Sequence, residues 1–282
     1  MSLQPFRLFL LRVFVHSQLY VGCMAGILAF LSMYEWGVIN VPIALAVAFI
    51  TTGGYAYIRY VGTYNNINKE NYRSIQSTLL IISVVFTFAG TYKLYFQSPN
   101  IIVLLFLLIP PAFLVLLYPI QFSRIPRFRE LPGVKLSIIA FSWVWLTTSL
   151  PAMLVVNNPD WNILVTHFQR LFLMVAWILP FDIRDMHNDT IKMKTIPQLG
   201  GVIRSKQLIS LVVFGTQLSF VFTGIIGFTS LSLSLAYILG LEFLNITSQS
   251  AKPGIDKGYY NFVIESAPFI VFIFLIVGLA LL

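Results

Sequence analysis

Long apolar runs recur nine times along this chain, near 10–31, 39–58, 76–96, 100–118, 136–156, 162–180, 207–228, 230–247 and 262–282, and nothing else restricts its fold so tightly. A hydrocarbon core of about 30 Å takes about 20 apolar residues to cross as a helix, and only helices and closed barrels satisfy their own backbone hydrogen bonds in lipid. The runs therefore predict an all-α integral membrane protein of nine transmembrane helices, one transmembrane domain over residues 1–282. Composition agrees: 58% of residues are hydrophobic and 10% charged, against roughly 45–50% apolar content in soluble domains. The first run follows Arg7 and Arg12 in the manner of a signal peptide, but more such runs follow, so it is expected to stay as a helix. Cys23, the single cysteine, excludes an internal disulfide.

The basic residues are distributed unevenly. Arg7 and Arg12 precede or open the first run; Arg59, Lys69 and Arg73 follow the second; Arg124, Arg127, Arg129 and Lys135 follow the fourth. Arg184, Lys192, Lys194, Arg204 and Lys206 follow the sixth, and Lys252 and Lys257 the eighth. With nine spans all of these lie on one side, which the positive-inside rule makes cytoplasmic, with the N-terminus there too. A bacterial inner membrane is the expected location. Only Lys93 and Arg170 are left over. The formal charge of +8 is enough to orient the chain and touch anionic headgroups; the bilayer, and no nucleic acid, is the expected partner.

On the same face lies "FDIRDMHND", residues 181–189, with three aspartates in a chain that has few charges. If the sixth helix continues past Pro180, Asp182, Asp185 and Asp189 fall at i, i+3 and i+7 and share one side, with Arg184 pointing elsewhere. Carboxylates so close repel one another unless a cation neutralises them, and Mg²⁺ favours a few carboxylates together with phosphate oxygens. The alternative is a helix end whose aspartates pair with Arg184, Lys192 and Lys194.

"IRDMHND", followed by "KTIPQLGG", resembles the second aspartate motif of the UbiA superfamily of intramembrane prenyltransferases, in which D-x-x-x-D follows the sixth of nine helices and leads into a Lys-Thr segment. Asp185 and Asp189 match its aspartates, Lys194 and Thr195 its Lys-Thr. "YPIQFSRIPRFRELPGVK" adds Tyr118 and Arg124 at the tyrosine and basic positions after the fourth helix. The resemblance implies a UbiA-like helical bundle and Mg-dependent transfer of an isoprenyl group from a polyprenyl diphosphate to a small acceptor that is not identified. It makes Asp182, Asp185 and Asp189 the catalytic, Mg²⁺-holding residues, and Asn65, Asn68, Arg73, Tyr118, Arg124, Lys192 and Lys194 the binding residues for the diphosphate. The first motif, N-D-x-x-D-x-x-x-D after the second helix, is altered: "RYVGTYNNINKENYR" contains no aspartate, Asn66 stands for its first and Lys69 near its second. This change keeps two other readings open: a membrane protein that binds a polyprenyl diphosphate or lipid without catalysis, and a transporter or scaffold.

Three features lie outside that frame. Thr166, His167 and Arg170 form a polar stripe in the sixth run, with Arg170 facing either an internal cavity or the outer interface beside Asp160 and Trp161. Glu242 and Glu265, near cytoplasmic ends, are placed to pair with Lys252 or Lys257. The five residues Gly227 to Leu231 make a tight seventh-to-eighth connection.

Overall fold

The structure, a computed structural model, describes residues 18–64, 73–98, 100–120, 128–156, 160–254 and 258–281. Among them nine apolar helices succeed one another: α1 Leu19–Glu35, α2 Val41–Tyr64, α3 Arg73–Gln97, α4 Ile101–Leu117, α5 Val134–Val155, α6 Trp161–Asp185, α7 Ile196–Ile225, α8 Leu231–Gln249 and α9 Tyr259–Leu281. Seven are long and apolar enough to span a membrane, while α1 and α4 are shorter apolar helices of 17 residues. Along α3 the large apolar side chains Ile81, Val84, Val85, Phe88, Tyr92 and Phe96 are all more than half exposed. Water-soluble chains rarely leave so extended an apolar face uncovered. The chain is a multi-pass membrane protein.

Two compact units divide the helices: one holds residues 1–30 and 40–128, the other 31–39 and 129–282. In the first, small residues bring backbones together. A Cβ on Gly53 would stand 2.8 Å from the Thr87 amide nitrogen, and one on Gly90 2.8 Å from the Ala46 carbonyl, so α2 and α3 touch main chain to main chain. Such contact is a principal source of helix adhesion where burial from water is missing.

In the second unit α6 packs against α5 and α7. Trp177 on α6 meets Trp143 of α5 edge to face at 5.0 Å and donates its indole N–H to the Ile264 carbonyl at 2.9 Å. That carbonyl ends a π-helical segment, Tyr259–Ile264, which opens α9. The link from α7 to α8 is as tight as its sequence suggests. Gly227 takes φ +77, the Phe228 amide reaches back to the Thr223 carbonyl at 2.9 Å, and Ser230 caps α8.

Several boundaries differ from the apolar runs, each for a polar reason. The first helix ends at Glu35 rather than near 31 because Ser32 and Glu35 find partners inside the second unit. α6 continues through Pro180 to Asp185, a turn beyond its apolar stretch, because Asp182 meets a buried cation there. α7 starts at Ile196, well before 207: Thr195 and Gln198 form a capping box ahead of the polar turns, and Gly201, with φ 76 and ψ 171, kinks the helix.

Candidate functional site

Asp182 and Asp185 stand one turn apart at the C-terminal end of α6. The helix stops there, so Asp189 does not occupy the i+7 position of a longer helix. The amides of Asn188 and Asp189 both donate to the Asp185 carbonyl at 2.8 Å, and this turn carries Asp189 back to its companions. Gln198, from the "KTIPQLGG" segment, pins the turn: it accepts from the Thr195 amide at 3.0 Å and donates to the carbonyls of Asp189 at 3.1 Å and Thr190 at 3.3 Å.

The other side of the site comes from the head of α5. Gly133, at φ +70, makes the left-handed turn that starts the helix, and its amide donates to the Met193 carbonyl at 3.0 Å. Lys135 follows in the first helical turn. Its ammonium donates to Asp189 Oδ2 at 2.7 Å, forms an ion pair with Asp182 Oδ1 at 2.8 Å, and lies 3.8 Å from Asp185 Oδ2. Lys135 is 7% exposed and Asp182 1%. Arg129 approaches Asp189 Oδ1 at 3.6 Å. Arg184 does not point elsewhere, since neighbours on a helix with long side chains can still meet: its Nε and Nη2 fork onto Asp185 at 2.7 and 2.9 Å. The guanidinium also lies 5.2 and 5.4 Å from the ring centres of Phe181 and Tyr260. Three carboxylates thus face three cations, and the cluster is neutral by itself.

The donor set is chemically that of a hard divalent ion. Asp182 Oδ1 is buried and has no hydrogen-bond partner among the described residues, its contact to Lys135 being an ion pair outside hydrogen-bond geometry. The separations, however, are those of an ammonium cage, since Mg²⁺ sits about 2.0–2.1 Å from its oxygens. No group of three or more acidic, histidine or cysteine side chains among the described residues is arranged around a metal position. As arranged, the carboxylates close around the Lys135 ammonium rather than around a metal position.

Of the other residues expected at the site, Lys192 and Lys194 are exposed on the turn after Asp189, outside the ion pairs that hold the aspartates. Tyr118 is buried at the end of α4, in the other unit, and Arg73 opens α3. Asn65, Asn68 and Arg124 lie outside the described residues.

A second charged cluster sits three turns earlier on α6. Arg170 faces neither a cavity nor the outer interface. It is fully buried, with Nη2 2.9 Å from Glu35 Oε2, Nε donating to Ser32 Oγ at 3.1 Å, and its guanidinium 4.4 Å from the Tyr237 ring centre. Thr166 accepts from the Trp36 indole at 3.2 Å, and His167 meets Ser149 at 3.0 Å. Glu242 bonds Gln217 and Asn245 rather than a lysine. An apolar groove of about 610 Å³ lies between α6 and α7, among Phe168, Phe172, Leu211, Phe222 and Ile226; none of the three aspartates lines it.

Sequence reasoning missed Lys135 as a site residue and Glu35 altogether. Each had a signal: Lys135 heads an apolar run that three unneutralised carboxylates need a cation from, and Glu35 is an isolated acid where Arg170 is an isolated base.

No family model matches the chain and no curated protein matches it. Solved structures do. A UbiA homolog from Archaeoglobus fulgidus bound to DMAPP and Mg²⁺ superposes with a TM-score of 0.62 at 13% identity, over 92% of this chain and 95% of that one. A UbiA homolog from Archaeoglobus fulgidus bound to GPP and Mg²⁺ gives 0.61 at 14%, with the same coverage. A digeranylgeranylglyceryl phosphate synthase gives 0.60 at 13%, over 96% of this chain and 98% of that one. Across nearly its whole length, this chain has the fold of the UbiA homologues.

Proposed function

We propose that this protein is a UbiA-like isoprenoid-diphosphate enzyme that transfers a prenyl group to a small acceptor at the cytoplasmic face of the membrane, in a bacterial inner membrane with the N-terminus inside. The observation that carries the reading is the convergence of Asp182, Asp185 and Asp189 at the end of α6, on a fold whose solved relatives hold DMAPP or GPP with Mg²⁺. The one-sided basic residues support the orientation.

The three aspartates would hold the metal, and the chemistry Mg²⁺ supplies when bound is charge neutralisation of the departing diphosphate. Arg129, a third exposed, is placed to meet the diphosphate's outer oxygens. Arg184, forked onto Asp185 and flanked by Phe181 and Tyr260, fixes that carboxylate's orientation. Gln198 fixes Asp189 through its main chain.

A second reading, binding without transfer, is favoured by one observation: the segment after the second apolar run carries no aspartate. Incubating purified protein with labelled prenyl diphosphates of graded length and Mg²⁺, while following both binding and diphosphate release, separates the two. Release in the presence of candidate acceptors supports transfer; tight binding with no release for any acceptor supports the second reading. No binding of any prenyl diphosphate refutes both.

A further inference from the structure

Lys135 is an unusual neighbour for a metal-binding motif. Its ammonium sits at the focus of the carboxylates, 2.7 Å from Asp189 and 2.8 Å from Asp182, and it is nine-tenths buried. A lysine placed only to snorkel from the head of a helix would extend to the surface; this one is turned inward, and the Gly133 turn tied to Met193 sets it there. Arg184 and Arg129 supply the remaining charge. Without Lys135, Asp182 would be a buried carboxylate with no cation in contact.

We propose that Lys135 is a tethered cation that serves Asp182 and Asp189 as a divalent ion would. It keeps the two carboxylates converged and neutral, so that an isoprenoid diphosphate binds at this end of α6 without metal, and a divalent ion competes with it for the same oxygens. This rests on the functional reading above for the identity of the anion, but the competition does not. The segment "RYVGTYNNINKENYR" contains no aspartate to add to these three. A chain with fewer carboxylates to hold metal ions has more use for a cation that never dissociates.

Two measurements on purified full-length protein in detergent test it. The first is Mn²⁺ affinity by electron paramagnetic resonance, with no substrate, on wild type, K135Q and K135R. K135Q binds Mn²⁺ at least about tenfold more tightly than wild type, because a charge adjacent to the ligands is gone, and K135R matches wild type. Equal or weaker Mn²⁺ binding by folded K135Q overturns the proposal. The second uses wild type alone, so it stands even if K135Q does not fold: geranyl diphosphate affinity in EDTA stays within about tenfold of that in Mg²⁺, the span of one lost charge contact. A loss of a hundredfold or more in EDTA overturns the proposal. Should wild type bind no prenyl diphosphate under either condition, the functional reading fails, and the Mn²⁺ comparison alone decides the role of Lys135.

Discussion

Replacing Arg170 with methionine tests whether the buried charge on α6 is a structural clamp. Arg170 and Glu35 are both sealed from solvent, 2.9 Å apart, and the guanidinium also binds Ser32 and covers Tyr237. Removing one member of a buried pair strands the other, which costs about 3–5 kcal/mol, much of it the penalty of an unpaired charge. The lost ring contact adds about 0.5–2 kcal/mol. Arg170→Met is therefore expected to destabilise the protein by about 3.5–7 kcal/mol in all. Glu35→Leu combined with Arg170→Met strands nothing, and the double variant should recover at least about 2 kcal/mol of that loss. Denaturation in mixed micelles of a mild detergent and increasing dodecyl sulfate measures both. A single variant within about 1 kcal/mol of wild type, or a double variant as unstable as the single, would show that Arg170 and Glu35 are not a clamp.

Other perturbations separate site from scaffold. Asp185→Asn and Asp189→Asn should each weaken Mn²⁺ binding by at least about tenfold, read by electron paramagnetic resonance, with elution profiles unchanged. Gly90→Val pushes a side chain into the Ala46 carbonyl across the α2–α3 contact; a loss of about 1–3 kcal/mol is expected in the same denaturation assay. Asp160 caps α6 by accepting from the amides of Asn162 and Ile163, so Asp160→Ala should cost about 0.5–2 kcal/mol and leave diphosphate affinity unchanged in the binding assay.

Periodicity and run length made the helices legible, because in lipid the backbone leaves few other solutions. The aspartate cluster was legible too, though by a different route: Asp182 and Asp185 converge as helical spacing requires, while Asp189 arrives through a turn that ends the helix early. What sequence spacing does not contain is the partner from another helix. Lys135 lies 54 positions from Asp189, and Arg170 lies 135 from Glu35. Along the chain, Lys135 and Glu35 look like charges at the rim of an apolar run, where snorkelling is the ordinary outcome, and Arg170 like a lone base inside one. The early start of α7 was hidden for a related reason. Gly200, Gly201, Arg204 and Lys206 read as a loop, but the Thr195–Gln198 cap starts a helix regardless, and that same Gln198 holds the Asp189 turn.

α6 thus carries two ion clusters of similar composition, and access distinguishes them. At Arg170 both side chains of the pair are 0% exposed, so the pair is closed to solvent. At the aspartates, Lys135 and Asp182 are covered, but Asp185 and Arg129 keep 26% and 33% of their side chains open. A pair that nothing can reach acts only on stability, whereas a neutral cluster with an open rim can exchange a cation or accept an anion. On that distinction, substitutions at Arg170 should change unfolding and leave diphosphate affinity per folded molecule alone, whereas Lys135→Gln should change the metal requirement and Lys135→Arg should preserve it. Loss of affinity in a folded Arg170 variant would mean that the two clusters communicate along α6, and that the closed one is part of the machinery after all.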